Sequence, residues 1–450
     1  MNLTLPHQAQ KIIDTFQKAG YEIYIVGGVV RDALLNTPLY DWDFTTNATP
    51  EQILALFPDG FYDNKFGTVG LENAASGRPY EITTYRSEGS YSDFRHPDKI
   101  SWGKTLAEDL KRRDFTINAM ALRPAQGKPM EVIDPFGGQK DLQNKSIRAV
   151  GNPEERFGED SLRMMRAVRI AAQLGFIVET KTLAAIQKHA QNITKISVER
   201  VRDELLKLMA SLYPADGYLL LRNSGLSAYI LPDLEGAFGV EQKSPGRHHI
   251  YDVGTHSVES LRHCPSSNPI TRLATLIHDV GKVKTQKVYP DGKITFYNHE
   301  MVSAKIAKRL ADDLRFSNAQ KDLFIRLVRW HQFTVDEHQT DSAIRRFIRN
   351  VGRENVDEML ALRTGDRLGG GARETSWRLE DFKRRIEEVQ KLPFSVADLK
   401  INGRDVMEIK KVPPGPMVGQ YLNMLFKKVE KEGIKNEKKL LIKELNKLTL

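Results

Sequence analysis

The sequence predicts an α+β protein: a mixed head of short strands and helices, then an all-helical remainder. Three observations carry this. Over the first 150 residues, β-rich runs alternate with amphipathic helical stretches. From Gly151-Asn152-Pro153 to about Leu392, apolar residues recur at helical spacing, broken at Pro214, Pro232, Pro245, Pro265 and Pro269. The chain has 450 residues, about three times a usual domain, so two to four domains are expected.

Residues 7–19 (HQAQKIIDTFQKA) read as a helix closed by Gly20, which suits a C-terminal cap. YEIYIVGG reads as a strand ending on two glycines, and VVRDALL as the start of a helix. Residues 41–46 (DWDFTT) alternate as a strand does; 66–71 and 79–86 (PYEITTYR) are further strands, and 105–122 reads as a helix. The loop-like stretch 236–250 (GAFGVEQKSPGRHHI) marks a boundary, and GGG at 369–371 precedes a charged helix. PPGP at 413–416 introduces two Lys-rich helices, 417–431 and 435–448. The expected division is 1–150, 151–240, 241–370 and 371–450.

Hydrophobic residues make up 40% and charged residues 28%, which excludes collagen-like and wholly disordered chains. The single cysteine, Cys264, excludes an internal disulfide framework and an all-cysteine zinc site. No apolar run reaches the roughly 18 residues needed to span a bilayer. The N-terminus lacks the pattern of a signal peptide, so no membrane and a reducing cytoplasm are expected. Lys and Arg number 67 against 58 Asp and Glu, a net charge of +9. That fits a polyanionic partner, and equally a merely soluble basic surface.

The most informative segment is Gly27-Gly28, Arg31, then Asp41-Trp42-Asp43. Side chains at i and i+2 of a strand share a face, so Asp41 and Asp43 are expected to present two carboxylates together. Paired hard oxygen ligands suit Mg²⁺ with substrate phosphates, and a Gly-Gly turn admits close backbone approach to a phosphate. Taken alone, the same pattern is also that of a solvated acidic turn. Glu81 is a candidate third carboxylate.

Two further segments follow: EDLKRRDFTINAMA at 108–121 and GEDSLRMMRAVR at 158–169. With the GG…DWD element, they resemble the class II tRNA nucleotidyltransferases, the CCA-adding enzymes and their bacterial poly(A) polymerase relatives. The resemblance implies a polymerase β-like nucleotidyltransferase head, then a helical neck and body (151–240), an HD domain (241–370) and a tail (371–450). It implies Asp41 and Asp43 as catalytic metal ligands for Mg²⁺. Gly28, Arg31, Arg113, Asp114 and Asn118, with Arg112 beside them, are implied to contact nucleotide, Asp114 and Asn118 sensing sugar hydroxyls. Asp160, Arg163, Arg166 and Arg169 are implied to handle base and triphosphate. CTP, ATP and the 3′ acceptor end of tRNA are the implied substrates, with no obligate protein partner. Residues 85–97 (YRSEGSYSDFRHP) resemble the loop taken to support the switch from C to A addition. Residues 194–209 resemble the helix closing the neck, where Arg200 and Arg202 would add phosphate contacts.

Hydrogen-bond polarity shows how such a site reads a base. Asp160 and Arg163, spaced i, i+3, are expected on one helix face. A carboxylate only accepts and a guanidinium only donates. Cytosine and adenine offer an amine beside an unprotonated ring nitrogen, and fit. Uracil and guanine present the reverse, and each buried mismatch costs about 1–3 kcal/mol. An ordinary ion pair between the two residues is the plain alternative.

A second constellation reads H…HD…H…H…D: His256, His278-Asp279 in LIHDVGK, His299, His331 and Asp366. It resembles the HD phosphohydrolase superfamily, with His256, His278, Asp279 and Asp366 as metal ligands and His299 and His331 as ligands or substrate contacts. Mn²⁺, Ni²⁺ or Co²⁺ suits such a mixed donor set. His248, His249, His263 and His338 read as surface residues. Lys427, Lys428, Lys431, Lys435, Lys438 and Lys439 suit phosphate contacts along a folded RNA, or simply a solvated helix. The expected activity is template-independent CCA addition to tRNA. A-only addition or polyadenylation is the alternative, and an HD phosphohydrolase with an RNA-binding head a further one.

Overall fold

The computed structural model describes residues 3–63, 67–73, 77–87, 101–103, 105–124, 129–242, 251–333, 335, 339–371, 376–390, 396–432 and 434–449. Residues 88–97 of the expected C-to-A loop, the 243–250 part of the boundary loop with His248 and His249, and His338 fall outside them.

The head is a seven-stranded mixed sheet. Its strands run 61–63, 68–71, 80–84, 43–46, 23–26, 121–123 and 131–133 across the sheet. The strand Ile23–Val26 is wholly buried and lies between two antiparallel neighbours, 43–46 and 121–123. Tyr80–Thr84 joins Asp43–Thr46 in parallel, placing Glu81 opposite Asp43. The helix His7–Lys18 sends Ala9, Ile12, Ile13 and Phe16 into the core shared with this sheet, as its periodicity predicts. Gly20, at φ +83°, follows its cap.

Two expectations about the head fail. Asp41 and Trp42 precede the strand, which begins at Asp43. Residues 105–122 are not one helix. Thr105 caps Leu106–Lys111, a 3₁₀ turn covers Thr116–Asn118, and Ala121–Arg123 is a strand. Phe115 leaves the helical path to bridge Ala149, and Thr116 donates to the buried Asp141 carboxylate. Tertiary partners outweigh local propensity here.

Among the described residues from Pro153 onward the chain is helical, except for strand 177–178, which pairs in parallel with 146–147, and a short hairpin, 287–288 with 294–295. The helix Pro269–Ile277 buries Ile270, Leu273, Leu276 and Ile277 and carries His278 and Asp279 into the interior. Each such burial contributes about 1.5–3 kcal/mol, which offsets the cost of taking those two groups out of water. Around it pack the helices Val253–Arg262, Asn318–Trp330 and Val356–Gly369. The helix Trp377–Gln390 docks through Phe382 on Phe333 and Phe347. Beyond it, Leu399, Val406, Leu425, Leu441 and others form a separate small core. No described helix is long and apolar enough to cross a membrane.

Candidate active site

Between the head sheet and the first long helices lies a cavity of about 1240 Å³. Gly28, Arg31, Asp41, Asp43, Arg113, Asp114, Asn118, Asp160, Arg163, Arg166 and Arg169 all line it. Residues from four separate stretches thus share one compartment.

Its acidic end is built around a tight turn. Gly27 adopts φ +79° between the central strand and the helix Gly28–Leu34. A Cβ there would lie 3.1 Å from Asp43 Oδ2 and 3.3 Å from Arg113 Nη1, so only glycine lets these groups approach the backbone. Burial, then Glu81, pushes the Asp43 carboxyl up to about 7, while Arg113 pulls the other way and Asp41 adds a smaller push. A group in that state gains strongly from a divalent cation, and the hard oxygens of Asp41, Asp43 and Glu81 fit Mg²⁺. Asp41 is instead held by Arg78 at 2.5 and 2.7 Å, with both side chains more than half exposed. Such a pair is worth little and yields readily to a stronger charge.

The basic side is a set of clamped arginines. Asp109, fully buried, accepts from Arg112 at 2.6 and 3.0 Å and from Arg113 at 3.1 Å. Burial opposes its charge, but the two guanidinium groups hold its carboxyl below the ordinary range. Asp114 accepts from Phe115 N, Asn118 Nδ2 and Arg166, and Asn118 Oδ1 accepts from Arg31. Burial again opposes, yet Arg166 brings Asp114 down to about 2. Arg169 reaches the buried Glu204 at 2.6 Å. Arg166 and Arg169 therefore face inward on partners rather than forming a solvated basic face.

The expected helix face shared by Asp160 and Arg163 does not exist. Asp160 ends the helix Pro153–Glu159 in an extended conformation, and Arg163 is the second residue of the next helix, Leu162–Leu174. Asp160 accepts from Arg200 at 2.7 Å and from Leu162 N at 3.0 Å. Arg163 reaches Glu159 at 2.6 Å and the carbonyls of Arg156 and Arg112. The two are held by different partners at one cavity wall. Arg200 joins the cavity; Arg202 turns away to Asp203 and the Arg315 carbonyl.

Known proteins share this architecture. Residues 23–148 match a family described as "Poly A polymerase head domain", 175–238 "Probable RNA and SrmB- binding site of polymerase A", and 294–445 "tRNA nucleotidyltransferase domain 2 putative". A CCA-adding enzyme of Levilactobacillus brevis is 35% identical over 96% of both chains. One from Ligilactobacillus salivarius is 34% identical over 98% of this chain and 96% of its own. The chain belongs to the CCA-adding enzymes. The crystal structure of the Bacillus stearothermophilus CCA-adding enzyme in complex with CTP is 28% identical, covers 99% and 98% of the two chains, and superposes with a TM-score of 0.67. The Thermotoga maritima CCA-adding enzyme complexed with tRNA shares the fold at 19% identity, 98% and 95% coverage and TM-score 0.60.

This CCA-adding family member carries a second centre, deep in its helical half. His278 and His331 sit just past helix C-termini and His299 opens a helix; each Nδ1 lies 2.7–2.8 Å from the carbonyl oxygen three residues earlier, Thr275, Val328 or Phe296. A carbonyl cannot donate, so in the neutral ring, the form that binds a metal, Nδ1 carries the proton and Nε2 keeps the lone pair. The Nε2 atoms converge on Asp279. His278 and His256 lie 3.2 and 3.4 Å from its Oδ2, and His299 and His331 lie 3.1 and 3.5 Å from its Oδ1. Asp366 Oδ1 closes the first group at 3.2 Å from His256 and 3.6 Å from His278. His278 Nε2 is buried without a hydrogen-bond partner, and the Nε2 atoms of His299 and His331 face each other at 3.3 Å. Ligands about 2.1 Å from a metal sit about 3.0–3.4 Å apart, so these separations fit a coordination shell. Burial disfavours charge on His278, but Asp279 and then Asp366 outweigh it and push it up to about 10. The centre demands positive charge. His299 and His331, left open as ligands or substrate contacts, are buried against Asp279.

Several contributors had no prediction attached. Asp109 and Glu159 follow from i, i+3 and i, i+4 spacing to their arginines and could have been found so. Lys282, 2.6 Å from Asp279, lies at i+3 and is also legible in HDVGK. Arg78 and Glu204 meet their partners only through the fold.

Proposed function

We propose that the chain adds C, C and A to tRNA 3′ ends from CTP and ATP, releasing pyrophosphate at each addition. The carrying observation is the single cavity that unites Asp41 and Asp43 with Asp160 and Arg163. Asp41 and Asp43, with Glu81 beside them, hold Mg²⁺. The chemistry a divalent cation supplies there is neutralisation of the triphosphate and activation of the attacking 3′-hydroxyl. Arg166 and Arg169 face the triphosphate, Arg166 fixed by Asp114 and Arg169 by Glu204. Gly28, Arg31, Arg113 and Asn118 border sugar and phosphates. Asp160 accepts from the exocyclic amine of cytosine or adenine, and Arg163 donates to the adjacent ring nitrogen. Arg200 holds the Asp160 carboxylate at that wall until a base arrives. The cytoplasm is where this protein would meet tRNA.

The test uses tRNA lacking its last three nucleotides. CTP alone yields two added C residues, and both nucleotides yield CCA, read by sequencing the ends. Addition of A only, or of an open-ended A tract, would overturn this reading in favour of an A-adding enzyme or a poly(A) polymerase.

We further propose a metal-dependent phosphoesterase at the second centre, favoured by the converging histidine lone pairs. His256, His278, Asp279 and Asp366 hold a transition metal such as Mn²⁺, Ni²⁺ or Co²⁺, and His299 and His331 extend the shell. Hydrolysis of a 2′,3′-cyclic phosphate is expected and vanishes in His278→Ala. No turnover with any of these metals or Mg²⁺ sinks this second activity.

A further inference from the structure

The six side chains of the histidine–aspartate centre are unequally covered. His256, His278, Asp279, His299 and His331 are 7% exposed or less, whereas Asp366 is 19% exposed. The centre is therefore most accessible from the Asp366 side. On that side lies a separate pocket of about 750 Å³, within the size range of ligand sites. Its walls come from the stretches that carry the ligand-type groups themselves. Gln332 and Phe333 follow His331, Arg363 and Arg367 flank Asp366, and Trp377 and Arg378 open the next helix.

The lining combines three guanidinium groups with two aromatic rings, and among the described residues none of it is acidic. Phe333 is fixed by Phe347 and Phe382, with ring centroids 4.6 and 5.5 Å away. Trp377 is instead 64% exposed, with the Arg378 guanidinium 5.2 Å from its ring. Arg363 joins pocket to centre. It donates to Asp366 Oδ2 at 2.9 Å, lies 5.4 Å over Phe333, and keeps a buried Nε without a hydrogen-bond partner. An open indole beside arginines matches a planar base joined to a phosphate.

We infer that this pocket binds the 3′-terminal nucleotide of an RNA, its base on Trp377 and its phosphate on Arg363, Arg367 and Arg378, and presents that phosphate to the buried centre. The hydrolytic outcome rests on the phosphoesterase reading above; the binding does not. In that outcome water adds to phosphorus of a 2′,3′-cyclic phosphate, one P–O ester bond breaks, and the freed ribose oxygen takes the proton.

The experiment compares full-length wild type with Trp377→Ala, CTP incorporation serving as the control for folding. Two readouts are taken with Mn²⁺: KM and kcat for cytidine 2′,3′-cyclic phosphate, and the dissociation constants of cytidine 3′-monophosphate and inorganic phosphate. Loss of one stacked base raises KM and the nucleotide dissociation constant about tenfold, with kcat within about twofold and phosphate binding unchanged. If wild type turns over no cyclic phosphate but the nucleotide constant still weakens, the phosphoesterase reading fails and the pocket stands. If the nucleotide constants stay within twofold, or phosphate binding and kcat fall in step with them, the pocket assignment is overturned.

Discussion

The two centres differ in how deeply they hold their charges. In the transferase cavity nearly every carboxylate already has an arginine: Asp41 has Arg78, Asp114 has Arg166, Asp160 has Arg200 and Glu204 has Arg169. A triphosphate entering there would exchange one set of charge contacts for another within a large cavity. The histidine–aspartate centre is buried: Asp279 is met by Lys282 and Asp366 by Arg363, and three histidines turn their Nε2 atoms inward on Asp279 while helix-end carbonyls hold Nδ1. A site that must change partners for two nucleotides keeps replaceable ion pairs. A buried cluster that could hold a cation keeps its ring nitrogens and carboxylates converged on one another.

The sharpest way to break this contrast is to disable each centre and read both activities. Asp43→Asn is expected to lower nucleotide incorporation about a thousandfold or more, the loss of several kcal/mol of metal-assisted stabilisation. Because it removes a buried carboxylate, it leaves the melting temperature of metal-free protein unchanged or raised. Cyclic-phosphate hydrolysis persists. His278→Ala gives the mirror image. A parallel loss of both activities in either variant would show one coupled site instead of two.

The next effect concerns selection. Asp160→Ala is expected to narrow the preference for CTP and ATP over UTP and GTP by about 10- to 100-fold, corresponding to about 1–3 kcal/mol. Incorporation assays with each nucleotide alone measure it. Arg200→Ala loosens the same wall without removing the acceptor, so a smaller narrowing is expected. Unchanged selectivity in Asp160→Ala would sink the base-reading account.

These partners also show what a sequence reveals. Asp41 and Asp43 were legible as residues that border one cavity, although Asp41 precedes the strand and is held by Arg78. The histidine–aspartate set was legible from ligand types in order. Asp160 with Arg163 was legible as a pair of residues but not as a geometry. The extended conformation at Asp160, between two helices, replaces the expected continuous helix face, and the Asp160 carboxylate is met by Arg200, forty residues further on. Glu81 meets Asp43 only through strand register, which no local spacing encodes. The 105–122 segment misled because Phe115 and Thr116 find partners at Ala149 and Asp141 that override a plausible helical period.

A subtler prediction follows from the clamped arginines. Asp114 is depressed to about 2 in the folded chain, against 3.8 for the free group. A depressed carboxylate stabilises above its unfolded value and loses that contribution as pH falls through the folded one. The ionised Asp114 in its folded surroundings, Arg166 foremost, thus adds about 2 kcal/mol at neutral pH, lost between about pH 4 and 2. Asp114→Asn flattens stability against pH in that window, as urea midpoints would show. An unaltered acid limb would mean that Arg166 finds another carboxylate.

The smallest effect separates lysines that were equivalent in the sequence. Lys428 is paired with Glu444 and Lys438 with Asp405, at 3.0 and 2.7 Å. Lys427, Lys435 and Lys439 are exposed, and the side chain of Lys431 lies outside the described set. A lysine on an RNA phosphate contributes about one unit to the slope of log affinity against log salt, whereas one held by a carboxylate must first give up that partner. Lys427→Ala, Lys435→Ala and Lys439→Ala should each lower the slope for tRNA binding more than Lys428→Ala or Lys438→Ala. Equal slopes for all five would place the RNA on another face and leave these helices to stabilise the tail through Leu425, Leu441 and Leu445 alone.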